Sequence, residues 1–252
     1  MRLTVTPVAA VIGAEIGGVD LRAAVTDALR DRLRQLLGCH RVLFFRDQHL
    51  STAQQIAFAE AFGPILDFRS VVPADPHHPG VHDVDGSTVG WHLDASGLIE
   101  PPVATVLHAV EIPPRGGDTI WANGVAAYQG LPGELKQRLT GLYATHTGPG
   151  QCPIVAHPLV LIHPDTGERY LYLNLAPWVD SRILGMDTAE SAALVDRLRE
   201  HYLQPGYQVR FRWSAGTVVI WDNRVAQHTG IQDYGEGVRR RLKRICIARF
   251  TC

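Results

Sequence analysis

The chain has 252 residues, 46% of them hydrophobic, and a formal net charge of -1 from 24 basic and 25 acidic side chains. That is enough for one ordinary core, and too balanced to draw the chain to nucleic acid or to an anionic membrane. The four cysteines, at 39, 152, 246 and 252, form no C-x-x-C pair and are too sparse for a disulfide scaffold, so they read as reduced thiols of a cytoplasmic protein. The first 18 residues are broken by proline, glycine and glutamate, and no apolar run approaches the ~18 residues of a membrane span. Neither a signal peptide nor a membrane partner is expected.

In chain order, Thr26 is predicted to cap a helix with Leu29, Leu33, Leu36 and Leu37 on one stripe and Gly38 as its stop. "RVLFF" reads as a strand. Ser51 and Gln54 make a capping box for a second helix ending at Gly63. Residues 66–90 are rich in Pro, His and Asp and show no periodicity. "VATVLHAV" is a strand, a helix with Pro132 near its first turn closes at Gly141, and "LYATHT" is again a strand. "HPLVLIHPDTGERYLYLN" reads as a hairpin turning at Asp165, Thr166 and Gly167. Leu194, Leu198 and Tyr202 then share a helix face. In "YQVRFRW" the positions Tyr207, Val209, Phe211 and Trp213 alternate with polar ones, and "TVVIW" is a core strand. Strands dominate the second half, and no G-x-G-x-x-G or Walker loop is present. This favours a mainly β sandwich or jelly roll with flanking helices over a nucleotide-binding α/β fold.

Two H-x-D tripeptides stand out, His92-x-Asp94 in "GWHLD" and His163-x-Asp165 in "IHPDTG". On an extended backbone, residues two apart face the same side, so either pair offers two adjacent metal ligands. Turn chemistry accounts for Asp165 and a strand end for His163. The first pair has a third ligand to draw on, since "TVVIWDNRVAQH" runs a core strand into a polar turn with His228 just beyond it. Two histidines and a carboxylate on one face of an octahedron suit non-haem Fe(II), although the same triad also makes a hydrolytic zinc site. Among the remaining histidines, those at 40, 108, 146, 157 and 201 read as packed or surface residues.

Taken together, "GWHLD", "PPRGGDTIWAN", "IWDNRVAQH", the arginines of "RRRLKR", and the N-terminal "IGAEIGGVDL", "RVLFFRDQHLS" and "AFGPI" resemble the TauD/TfdA family of Fe(II)- and 2-oxoglutarate-dependent dioxygenases. The resemblance covers almost the whole chain. It implies one domain over 1–252 with a cupin-like fold, the double-stranded β-helix or jelly roll, and a short lid-like insertion around 66–90. It implies Fe(II) on His92, Asp94 and His228, with 2-oxoglutarate and O2 as cosubstrates. Thr119 matches the hydroxyl that meets the distal carboxylate of 2-oxoglutarate. An arginine shortly after the distal histidine matches the cation on that carboxylate, and both Arg239 and Arg240 stand in range. On a strand, Arg240, Leu242 and Arg244 share one face, which selects Arg240 and places Arg244 nearer the iron, by the C1 carboxylate or an anionic substrate. Carboxylate ligation by Asp94 favours hydroxylation over halogenation. Phe68, Val71, Ser96 and Trp178 are candidates for the substrate wall. Phe68 stands where taurine dioxygenases place a histidine, which favours an amino-acid derivative or natural-product intermediate over taurine. Sulfonates, sulfate esters and aryloxyalkanoates are the alternative substrates, and a homo-oligomer is left open.

Overall fold

The computed structural model describes residues 3–67, 75, 77–147 and 154–251, so Phe68, Val71 and Cys152 lie outside the described residues. The first half contains strands β1 (Thr4–Pro7) and β2 (Ala14–Gly17), helix α1 (Asp27–His40), strand β3 (Val42–Phe45), helix α2 (Thr52–Glu60), and strands β4 (Val81–Asp85), β5 (Ala104–Glu111) and β6 (Thr119–Asn123). Then come helices α3 (Gly124–Gln129) and α4 (Gly133–Leu139), and strands β7 (Tyr143–Thr145), β8 (Ala156–Pro158), β9 (Val160–Ile162) and β10 (Arg169–Leu171). Helix α5 (Thr188–Tyr202) and strands β11 (Gln208–Phe211), β12 (Val218–Asp222), β13 (Ala226–Gly230) and β14 (Arg241–Ile247) complete the chain.

Seven strands form the larger sheet in the order β1-β2-β3-β12-β5-β14-β4, and β11-β6-β13 form a smaller one. From β3 onward, neighbours in space are far apart in sequence, as jelly-roll wiring requires. Side-chain alternation sorts the larger sheet into two faces. On β12, Val218 and Ile220 pack with Leu33, Leu37 and Phe58 of the helices, while Val219 and Trp221 pack with Trp121, Phe211 and Trp213 around the smaller sheet. β3 divides the same way, with Leu43 and Phe45 towards the helices and Val42 and Phe44 between the sheets. Burial on both faces explains why these strands read as unbroken apolar runs. Phe44 stacks on Phe211 with ring centroids 4.0 Å apart, and truncating it to Ala should cost about 3–5 kcal/mol.

Several boundaries differ from expectation. α1 runs past Gly38 to His40, and Arg41 takes the left-handed cap at φ 67. Arg41 is held there by guanidinium bonds to the Gly38 carbonyl and to Glu168. α2 ends at Glu60 rather than Gly63. Gly63 is instead a close approach, since a Cβ there would lie 1.9 Å from the Arg249 carbonyl oxygen. Within the stretch predicted to lack periodicity, 81–85 forms β4, which pairs along β14 from Ile245 to Arg241. Its Asp83 and Asp85 are the charges that an edge strand carries to avoid further pairing. The polar turn expected before His228 is short, and His228 sits inside β13, opposite Trp121 of β6. Polar β13 is tolerated in the interior because Gln227 bonds the backbone of Leu173 and Leu175.

The parity of β14 fixes what the interior receives. Leu242 lies between the sheets, while Ile245 and Ile247 face the helices. Arg240 and Arg244 share the side of Leu242. Arg240 is buried, whereas Arg239 and Arg241 are exposed.

Candidate metal centre

His92 and His228 are joined before any side chain is considered. Each donates its backbone N–H to the other's carbonyl at 2.9 Å, an isolated antiparallel bridge added to the smaller sheet. Their rings lie 4.1 Å apart by centroid. Asp94 follows two residues on, with Oδ1 3.9 Å from His92 Nε2 and Oδ2 3.8 Å from His228 Nε2. The three residues are buried, and one donor atom from each lies within 4.8 Å of the others. Among the described residues this is the one group of three or more His, Cys, Asp and Glu so arranged.

The donor set is in the right chemical state. His92 Nδ1 lies 2.7 Å from the Gly90 carbonyl, so the proton sits on Nδ1 and the Nε2 lone pair faces Asp94. Burial lowers the pKa of His92 and takes His228 down to about 3, with His92 adding to the latter effect. Both imidazoles are therefore neutral. Burial opposes ionisation of Asp94, but the Arg244 guanidinium, helped by the Thr105 hydroxyl, holds its pKa at about 2. Arg244 Nη1 donates to Oδ1 at 2.8 Å and Thr105 Oγ1 to Oδ2 at 2.9 Å. Two neutral imidazoles and one carboxylate fit a divalent first-row metal such as Fe(II).

Beside the triad lies a buried cation of a different kind. Arg240 is 5% exposed. Its Nε donates to Gly117 O at 2.8 Å, Nη1 to Gly86 O at 2.7 Å and Nη2 to Thr119 Oγ1 at 3.2 Å. Gly117, at φ +72, lets the guanidinium lie flat on it, because a Cβ would fall 3.1 Å from Arg240 Cδ. None of these bonds goes to a carboxylate, and among the described residues no ion pair neutralises Arg240. Thr119 Oγ1 accepts from Arg240 and from Trp213 Nε1 at 2.9 Å, which leaves its own proton to donate. A buried guanidinium and a free hydroxyl proton together suit an incoming carboxylate.

Of the substrate candidates, Trp178 is 45% exposed with its ring 5.5 Å from that of His92. Ser96 is buried, and its hydroxyl accepts from Asn174 Nδ2 at 2.7 Å. The second H-x-D pair stands apart. His163 is fully buried, with Nε2 2.8 Å from Asp222 Oδ2, and Asp222 and Asp165 both pair with Arg224. The partners that sequence reading passed over are Thr105, hidden in an apolar strand, and Asn174. The alternation of "VATVLHAV", which puts Thr105 on the side of Leu107, was the available signal for the first.

Residues 4–246 match the family model described as "Taurine catabolism dioxygenase TauD, TfdA family". An alpha-ketoglutarate-dependent sulfate ester dioxygenase of Pseudomonas putida is 35% identical, covering 98% of this chain and 90% of that protein. An alkylsulfatase of Acinetobacter baylyi is 34% identical over 94% of this chain and 82% of that protein. The solved structure of a taurine dioxygenase from Burkholderia xenovorans superposes with a TM-score of 0.90 at 37% identity, covering 98% of this chain and 89% of that one. No helix among the described residues is long and apolar enough to cross a membrane. The jelly roll, the His-Asp-His triad and the match over nearly the whole chain agree, and the chain belongs to the TauD/TfdA family of Fe(II)- and 2-oxoglutarate-dependent dioxygenases, using O2 as the second cosubstrate.

Proposed function

We propose that the substrate is a small organic sulfate ester with an apolar alkyl group. His92, Asp94 and His228 hold Fe(II), which supplies O2 activation coupled to decarboxylation of 2-oxoglutarate to succinate and CO2. Thr119 and Arg240 take the distal carboxylate of 2-oxoglutarate. Arg244, beside Asp94, takes the C1 carboxylate or the anionic group of the substrate. Trp178 forms one apolar wall beside His92, with Ser96 as a further member. The compartment is the cytoplasm, in keeping with the free thiols of Cys39 and Cys246.

The observation that carries the cosubstrate reading is Arg240, a buried cation bonded among the described residues only to two carbonyls and the Thr119 hydroxyl. A guanidinium desolvated without a carboxylate in direct contact is costly unless an anion arrives. A zinc hydrolase on the same triad has no use for such a clamp. The two relatives named for sulfate esters support the ester over an amino-acid derivative. Hydroxylation of the carbon bearing the sulfate leaves a hydroxy-sulfate that collapses to an aldehyde and inorganic sulfate.

A panel of short- and medium-chain alkyl sulfates, N-acyl amino acids and taurine tests this, read as succinate formed with Fe(II). The expected result is succinate and inorganic sulfate in equal amounts from an alkyl sulfate, with little sulfite from taurine. Succinate driven by an N-acyl amino acid and by no sulfate ester would move the substrate to the amino-acid class.

A further inference from the structure

We propose that Asn223 is the positioning residue of the metal centre, its side-chain amide gripping both peptide groups that flank Asp94. The inference rests on the reading of His92, Asp94 and His228 as metal ligands.

Beyond the His92–His228 bridge the chain leaves the sheet, and Asp94 has no neighbouring strand. Asn223 takes that strand's place. Its Oδ1 accepts the Asp94 N–H at 2.9 Å, and its Nδ2 donates to the Asp94 carbonyl at 2.9 Å and to the Pro102 carbonyl at 3.0 Å. This is the pair of bonds that a neighbouring strand residue makes, supplied by one side chain with its donors and acceptor used. On the other side, Asn174 Nδ2 donates to the Leu93 carbonyl at 3.2 Å, so the Leu93–Asp94 peptide is held at both its oxygen and its nitrogen. Rotation about either backbone bond of Asp94 breaks at least one of these contacts.

An asparagine whose task is only to shape its own turn bonds the backbone of that turn. All three side-chain bonds of Asn223 go instead to residues 94 and 102. The next residue after the ligand, Ala95, is held at φ 48, a left-handed conformation that non-glycine residues keep only where the surroundings impose it. Asn223 is itself fixed, donating its N–H to Val103 O at 3.0 Å. Its neighbours Asp222 and Arg224 are locked in the ion-paired cluster around His163. One sheet-to-sheet connection, from β12 into β13, therefore carries all three ligands. His228 stands on β13, His92 is bonded to it through backbone, and Asp94 hangs from the β12–β13 turn through Asn223.

The test is Mn(II) binding to metal-free protein, read by electron paramagnetic resonance of the free ion, alongside the melting temperature of each metal-free variant. Asn223→Ala is expected to weaken Mn(II) binding about 10–100-fold, the usual loss when a group orienting a ligand is removed. Asn174→Ala, which loses one longer bond to the same peptide, should weaken it less. Ser191→Ala is the control for destabilisation alone. It removes a buried hydroxyl that accepts the Ile183 N–H at 2.8 Å, and it should lower the melting temperature with Mn(II) affinity unchanged. If Asn223→Ala does not accumulate as folded protein, Asn223→Ser, which keeps a side-chain acceptor, gives the same comparison. Wild-type Mn(II) affinity in a folded Asn223 variant, with only the melting temperature lowered, would overturn the proposal. A wild-type protein that binds no Mn(II) would overturn the reading of the triad instead.

Discussion

The same tripeptide occurs twice and meets two fates. His92-x-Asp94 and His163-x-Asp165 each place a histidine and an aspartate on one local stretch, and both histidines are buried. At the second site everything is already paired. His163 Nδ1 accepts the N–H groups of Asp165 and Thr166, each at 3.2 Å, and Nε2 meets Asp222. Asp165 is divided between Arg224 and Arg34. At the first site His92 Nε2 and His228 Nε2 face the Asp94 oxygens at 3.8–3.9 Å, too far for hydrogen bonds, and Arg240 nearby has no carboxylate. A cluster whose charges are satisfied internally is structural. One that gathers donor atoms and leaves a buried guanidinium without a paired carboxylate is built for something that arrives.

That contrast can be broken by mutation. The largest stability effect is expected at the saturated cluster, where Asp222→Asn leaves Arg224 buried without its main partner and should cost roughly 3–5 kcal/mol at neutral pH. Burial works against ionisation of Asp222, but Arg224 and His163 outweigh it and hold the folded pKa well below 3.8. Stability from a depressed carboxylate is full above its unfolded pKa and is lost as pH falls through the folded value. The gap between wild type and Asp222→Asn in denaturant melts should therefore be constant above about pH 5 and close progressively in acid. A gap that widened in acid would mean that Asp222 is not the stabilised anion.

The next effect belongs to the unsaturated cation. Arg240→Ala should raise the KM for 2-oxoglutarate about 10–100-fold, the equivalent of roughly 1.5–3 kcal/mol for a charge-assisted contact. Arg239→Ala, on the exposed face, should leave it within about twofold. The reverse pattern would place the clamp on the other strand face. The smallest effect is expected at Trp178, half exposed beside His92. Trp178→Ala should lower kcat/KM several-fold for longer alkyl sulfates and less for short ones, because about 0.8 kcal/mol of burial is lost per buried methylene. An effect independent of chain length would remove Trp178 from the apolar wall.

What could be read from sequence follows the same division. The core strands were legible because β3 and β12 are buried on both faces and carry little but apolar side chains, and most of β5 is apolar too. That His92 and Asp94 fall on one side, and Arg240 on the buried side of Leu242, was legible because H-x-D and R-x-L-x-R state parity directly, while His228 came from the family resemblance. β4 and β13 were not, since an edge strand carries charges and β13 holds Gln227 and His228 in its middle. Their partners lie on β14 and β6, which no local window contains. Asn223, in the polar turn before His228, has its true partner 129 residues away. His163 looked like a strand end for the same reason, with Asp222 59 residues off.

The central claim is that iron and 2-oxoglutarate meet on the first pair and not on the second. Anaerobic addition of Fe(II) and 2-oxoglutarate to wild type, His92→Ala and His163→Ala, followed by visible absorption, tests it directly. The account predicts a weak charge-transfer band in wild type and in folded His163→Ala, absent from His92→Ala. A band that survives in His92→Ala and vanishes from folded His163→Ala would contradict it.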